Sequence, residues 1–176
     1  MPQADFYILK QSEEEQRLFF ACRLTEKAMA QGMKIYIHAP TDQIAQDMDD
    51  LLWSFKPESF IPHTIVGMDE ELNEDNFIAS IEDSNNDSNN DSINDSINDS
   101  INDIENDEVV ALIGYPGNES TKGQLLINLC DQLPQGHGEF ERVAEIVVNS
   151  EQAKAISRDH WNTYKSLGFE LNHHQL

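Results

Sequence analysis

Positive charge is what this chain of 176 residues has least of: Lys and Arg number 11 against 33 Asp and Glu, a formal net charge of -22. A surface so acidic repels phosphate backbones, which argues against strong direct binding to DNA or RNA and in favour of a protein partner. Cysteine is scarce too. Cys22 and Cys130 lie inside apolar patterns and read as buried, reduced thiols, not as a disulfide framework. No apolar run approaches the ~20 residues that a membrane helix needs. Met1-Pro2-Gln3-Ala4-Asp5 lacks the basic and apolar regions of a signal peptide. These absences lead to the expectation of a cytoplasmic protein that does not engage a membrane.

Catalytic signatures are missing as well. The stretch Gly114-Tyr115-Pro116-Gly117-Asn118-Glu119-Ser120-Thr121-Lys122-Gly123 superficially resembles a phosphate loop. It fails the pattern, which places Gly-Lys together before Ser or Thr, and it lacks the three-glycine dinucleotide fingerprint. It reads as a turn. The six histidines form no helical pair four residues apart, and no Gly-x-Ser-x-Gly elbow occurs. No metal, cofactor or enzymatic activity is expected. A nucleotide-binding α/β enzyme with an unrecognised cleft stands as the alternative, since acid–base work needs carboxylates brought together by folding.

The charge is unevenly placed. Fifteen of the acidic residues and none of the bases fall between Asp69 and Glu108, leaving 18 acids against 11 bases elsewhere. From Asp83 to Asp107 an aspartate recurs every fourth residue, filled in by Ser, Asn and Ile. Like charges repel, and Asn, Asp and Ser compete with the helical backbone for hydrogen bonds. Residues 69–108 therefore read as a disordered acidic insert in a surface loop, where added length costs little. Calcium binding is disfavoured because the segment lacks the glycines and spacing of known calcium repeats. An acidic decoy for basic proteins is a further alternative.

Outside the insert, strands and helices alternate. Asp5–Lys10 reads as a strand. Ser12 with Glu15 matches a capping box before a helix that carries Leu18, Cys22, Thr25 and Met29 and stops at Gly32. Strands are expected at Lys34–Ala39, Thr64–Gly67, Val109–Gly114 and Leu125–Leu129, and a helix with Ile44, Met48 and Leu51 or Leu52 on one face follows Thr41 or Asp42. Phe140, Val143 or Ala144, and Val147 suggest a helix ending near Asn149. A last helix runs from Asn149 or Ser150 to Leu167 before Gly168. This alternation predicts an α/β fold: a single layered domain of residues 1–68 and 109–176, with a mostly parallel central sheet flanked by helices.

Two stretches look like docking surfaces. In the first, Trp53, Phe55 and Phe60 fall where a helix gives way to a loop stiffened by Pro57 and Pro62. They are either rigid interface anchors or the floor of the core. In the second, Lys154, Arg158 and Trp161 share one face of the last helix, and Val147 could extend it with an apolar wall. Such a strip suits an acidic peptide with an apolar end, although a solvated helix face has the same spacing.

Phe6-Tyr7-Ile8-Leu9, then Leu52-Trp53 with Pro57-Glu58-Ser59-Phe60-Ile61-Pro62-His63, then Tyr164-Lys165 with Gly168-Phe169-Glu170-Leu171-Asn172 resemble the chi subunit of the bacterial DNA polymerase III holoenzyme. The likeness spans nearly all of the chain outside 68–108, and the middle motif is its most specific part. It implies a non-catalytic α/β subunit that joins the clamp-loader complex to single-stranded DNA-binding protein by gripping that protein's acidic C-terminal tail, which ends in Pro-Phe. By this resemblance Val147, Lys154, Arg158 and Trp161 match the tail-binding positions, with Trp161 where the family commonly has tyrosine. Trp53 and Phe60 match positions that contact the psi subunit, or a helicase using the same surface.

Overall fold

The computed structural model describes residues 1–58, 60–66, 111–120 and 123–176, all of them in one unit built from 1–67 and 109–176. The acidic repeat, Gly67, Val109, Val110, Thr121 and Lys122 lie outside the described residues. Among those described, the elements run β1 (Gln3–Ile8), α1 (Glu14–Met29), β2 (Ile35–His38), α2 (Asp42–Ser54), β3 (His63–Ile65), β4 (Ala111–Gly114), β5 (Leu125–Asn128), a 3-10 turn (His137–Glu139), β6 (Arg142–Val147), α3 (Glu151–Ser166) and β7 (Glu170–Gln175). The strands form one sheet in the order β3-β4-β2-β5-β6-β1-β7, and every neighbouring pair is parallel. The expected α/β architecture is present.

Parallel strands covered on both faces must be apolar throughout, and the central ones are. Ile35, Ile37, Ile113, Leu125, Ile127, Ala144 and Ile146 point into one core with Leu18, Cys22, Met48 and Leu52 of α1 and α2. Tyr36, Leu126, Val143 and Val147 point into the other, with Phe6, Phe140, Phe169 and Tyr164 of α3. Each buried aliphatic or aromatic side chain of this size contributes roughly 1.5–3 kcal/mol. Gly114 is fixed by close approach, because a Cβ there would collide with the Tyr36 hydroxyl and the Asn118 carbonyl.

Two sequence expectations are corrected, and one further element was not foreseen. The segment around Phe140–Val147 is strand β6, paired with β5 and β1, and not a helix. Val147 is therefore the last residue of a strand. Glu13, not Ser12, occupies the N-cap of α1 and makes no side-chain cap bond, so the capping box does not form. The polar stretch Glu170–Gln175 is an unexpected edge strand; Gly168, at φ 82°, turns the chain out of α3 so that Glu170 can donate its N–H to Pro2 O at 2.9 Å.

Candidate functional site

The last helix begins at Ser150, whose hydroxyl accepts the Ala153 N–H at 3.1 Å. Its 16 residues then carry Lys154, Ser157, Arg158 and Trp161 along one side of a groove of about 340 Å³. Phe6 and Ile8 of β1 and Val147 of β6 contribute the apolar lining, with His173 and Gln175 of β7 beside them. Trp161 packs on Phe6 with ring centroids 5.0 Å apart. The four residues singled out from the sequence, Val147, Lys154, Arg158 and Trp161, thus meet in one place. Lys154 Nζ lies 3.4 Å from Glu151 Oε1, an exposed pair of small energetic weight. Arg158 is exposed and has no ion pair among the described residues. The arrangement offers a seat for an apolar side chain beside a guanidinium fork for a carboxylate.

Sequence reasoning missed the other half of this groove. Phe6 and Ile8 read simply as strand residues, and His173 and Gln175 belong to a strand with no apolar alternation. It also missed what holds the helix. Glu145, only 5 % exposed, accepts from Tyr164 Oη at 3.0 Å and Asn128 Nδ2 at 3.1 Å, and its Oε2 lies 3.1 Å from His160 Nδ1. His160 Nε2 in turn lies 3.1 Å from the Asp131 carbonyl. Burial pushes the His160 pKa down, but the hydrogen bond and charge of Glu145, with help from Asp131, outweigh it and hold the imidazole above its ordinary value. Burial and the same carboxylate push the Tyr164 hydroxyl far upward. A carboxylate inside the apolar run Val-Ala-Glu-Ile-Val was the available signal.

The first aromatic stretch divides. Phe55 packs against the core and against Phe19, with centroids 6.1 Å apart, whereas Trp53 and Phe60 are 57 % and 71 % exposed. Their rings sit 5.5 Å apart, and Trp53 also meets His63 at 5.0 Å. An exposed aromatic pair of this size is unusual for a solvated surface and suits a partner.

In parallel α/β sheets, ligands gather at the carboxyl ends of the strands. There, a cleft of about 410 Å³ is lined by Arg17, His38, Glu119, Cys130 and Asp131. Burial lowers the pKa of His38, partly offset by Glu119. The acidic lining is ill suited to a polyphosphate. Among the described residues no group of His, Cys, Asp or Glu could hold a metal ion, and no helix is long and apolar enough to cross a membrane.

Comparison with known proteins places this geometry among relatives. Residues 1–172 match the family described as "DNA polymerase III chi subunit, HolC". A DNA polymerase III subunit chi from Pseudomonas aeruginosa is 32 % identical over 176 residues, covering 100 % of this chain and 98 % of its own length. One from Haemophilus influenzae is 22 % identical over 170 residues, covering 96 % and 94 %. Among solved structures, T4 UvsW superposes with a TM-score of 0.60 at 9 % identity, covering 99 % of this chain and 41 % of that one. Domain 2 of the DEAD-box helicase Mss116p bound to an RNA duplex gives 0.53 at 11 %, covering 99 % and 64 %. The chain thus spans about two fifths of the length of the former, and at these identities the likeness concerns the fold alone.

Proposed function

Because this chain belongs to the family of DNA polymerase III chi subunits, we propose that it is a non-catalytic cytoplasmic accessory subunit that links the clamp-loader complex to single-stranded DNA-binding protein. The observation that carries the reading is the α3 groove, where Arg158 is unpaired among the described residues beside the apolar lining of Phe6, Val147 and Trp161. An acidic tail ending in Pro-Phe complements it: the terminal ring enters the groove, Arg158 holds the terminal carboxylate and Lys154 attracts the acidic residues before it. The exposed pair Trp53 and Phe60 supplies a second interface, for the psi subunit or a helicase. One domain of residues 1–68 and 109–176, interrupted by an insert at 69–108, completes the proposal.

Calorimetry with an acidic peptide ending in Pro-Phe tests the groove. Arg158→Ala is expected to weaken binding by roughly 1.5–3 kcal/mol, the range for a hydrogen bond to a charged group, and equal affinities would reject the assignment. Trp53→Ala is expected to lower recovery of the clamp-loader partner while leaving peptide affinity intact. Deleting residues 69–107 separates the adaptor from an acidic decoy, because only the adaptor retains tail binding without them.

A further inference from the structure

A second groove, of about 290 Å³, lies beside the first on the opposite face of the sheet. Leu9, Phe19, Phe20 and Leu176 give it an apolar lining, and Lys10 and Arg23 supply charge. Both cations are exposed and neither has an ion pair among the described residues. Among the described residues no Asp or Glu lines this groove, although acids outnumber bases 33 to 11 along the chain. Phe19 and Leu176 are each 41 % exposed, so the apolar lining is open to a partner.

The two grooves meet at one edge. Ile8 and Gln175 line the first, and the residues that follow them, Leu9 and Leu176, line the second. Leu176 donates its N–H to Ile8 O at 3.1 Å, so the ends of β1 and β7 are tied together between the grooves. Crossing the end of a sheet takes about 10 Å, or three to four extended residues. Four of the chain's 11 bases, Lys154, Arg158, Lys10 and Arg23, thereby fall along one path that runs from face to face.

We propose that the acidic peptide seated in the α3 groove continues over the ends of β1 and β7, and that its upstream residues dock in the second groove. Acidic side chains face Lys10 and Arg23, and an apolar one rests on Phe19 and Phe20. The inference rests on the α3 groove being the peptide site and extends its footprint.

Two fluorescent peptides with the same acidic Pro-Phe end, of about four and about ten residues, distinguish the two readings when titrated against the full chain. The longer peptide is expected to bind more tightly and to lose roughly threefold in affinity with Lys10→Ala or Arg23→Ala, as exposed charge pairs do. The shorter one is expected to be indifferent to both variants, and Arg158→Ala to weaken both peptides. A photo-crosslinker at the upstream end of the longer peptide should label the segment around Phe19 and Phe20. Equal affinity of the two peptides, or a label elsewhere, overturns the extension and leaves the first groove standing. If neither peptide binds the wild type, both readings fall. Should Arg23→Ala instead release a single-stranded oligonucleotide that the wild type retains, the second groove is a nucleic-acid surface and the peptide assignment is overturned.

Discussion

Helices α1 and α2 are held to the sheet mainly by area, with one tie from His63 Nε2 of β3 to the Asp49 carbonyl of α2 at 3.2 Å, whereas α3 adds a buried hydrogen-bond network to its packing. The first two bury Leu18, Ala21, Cys22, Thr25, Ala28, Ala45, Met48 and Leu52, and the one polar group among these, the Thr25 hydroxyl, donates to Ala21 O within its own helix. Asp5, on that face, meets Arg142 Nε at 2.8 Å and His174 Nε2 at 2.9 Å, both on partly exposed side chains. On the opposite face α3 buries only His160 and Tyr164, and both reach Glu145. Apolar packing tolerates small slides and rotations at modest cost. A carboxylate with three fixed partners does not, because any shift leaves a buried polar group unsatisfied. The rotation and height of the helix that lines the candidate groove are therefore set by a network of directional bonds.

The sharpest way to break this contrast is to truncate one residue on each face. Glu145→Ala leaves the Tyr164 hydroxyl and His160 Nδ1 without their buried partner and takes one of two acceptors from the Asn128 amide, and is expected to cost about 3–5 kcal/mol of stability. Leu52→Ala on the other face leaves a cavity and is expected to cost about 2–5 kcal/mol. The two should separate in binding. At temperatures where both variants remain folded, Glu145→Ala is expected to lose affinity for the acidic peptide as α3 shifts, and Leu52→Ala to keep it. Denaturant unfolding and calorimetry on the same samples check this, and unchanged affinity in Glu145→Ala would show that the network does not position the groove.

A smaller effect follows from the sign of the His160 shift. Its folded pKa is raised above the ordinary 6.5. The contribution of its protonation is therefore fully present below about pH 6.5 and is lost as pH rises through the raised value. His38 has the opposite sign: burial lowers its pKa, so its contribution is present above 6.5 and lost as pH falls. Comparing wild type with His160→Gln isolates the first from the second. The stability gap between them is expected to be widest near about pH 5.5 and to narrow toward about pH 9. A gap that stays constant would mean that folding leaves the His160 pKa at its ordinary value and that the Glu145 contact does not favour the protonated imidazole.

Much of the fold was legible because most elements announce themselves by pattern. Leu18, Cys22 and Thr25 sit one helical turn apart and are buried, and the apolar runs Ile35–His38 and Leu125–Asn128 are strands buried on both sides. The same double burial hid β6. Every position from Val143 to Val147 is inside, so residues three and four apart are apolar whether the segment is helical or extended, and periodicity could not separate the two. β7 failed for the opposite reason: Glu-Leu-Asn-His-His-Gln at the sheet edge is too polar to alternate visibly. Three of the four positions assigned to the groove lie on α3 and were readable from one helix. Phe6, Ile8, His173 and Gln175 were not, since they are brought there by parallel pairing of β1 and β7, which are separated by most of the chain.

The least disruptive way to sharpen the contrast uses the helix caps, which are alike in chemistry and differ in what they support. Thr41 accepts the Ile44 N–H at 3.2 Å at the start of α2, and Ser150 accepts the Ala153 N–H at 3.1 Å at the start of α3. Replacing either with alanine removes one bond to an otherwise orphaned donor and is expected to cost about 1 kcal/mol. The consequences should then diverge. The first turns of α2 pack Ala45 and Met48 into the core, so fraying there is resisted by area and leaves the groove untouched. Lys154 lies one turn into α3, ahead of the first residue that Glu145 holds, and the cap is the directional bond that orders this end. Ser150→Ala is accordingly expected to weaken the acidic peptide about twofold, the equivalent of ~0.4 kcal/mol, while Thr41→Ala leaves its affinity unchanged. Matched melting temperatures with matched affinities would show that Lys154 acts as a diffuse charge and needs no ordered first turn.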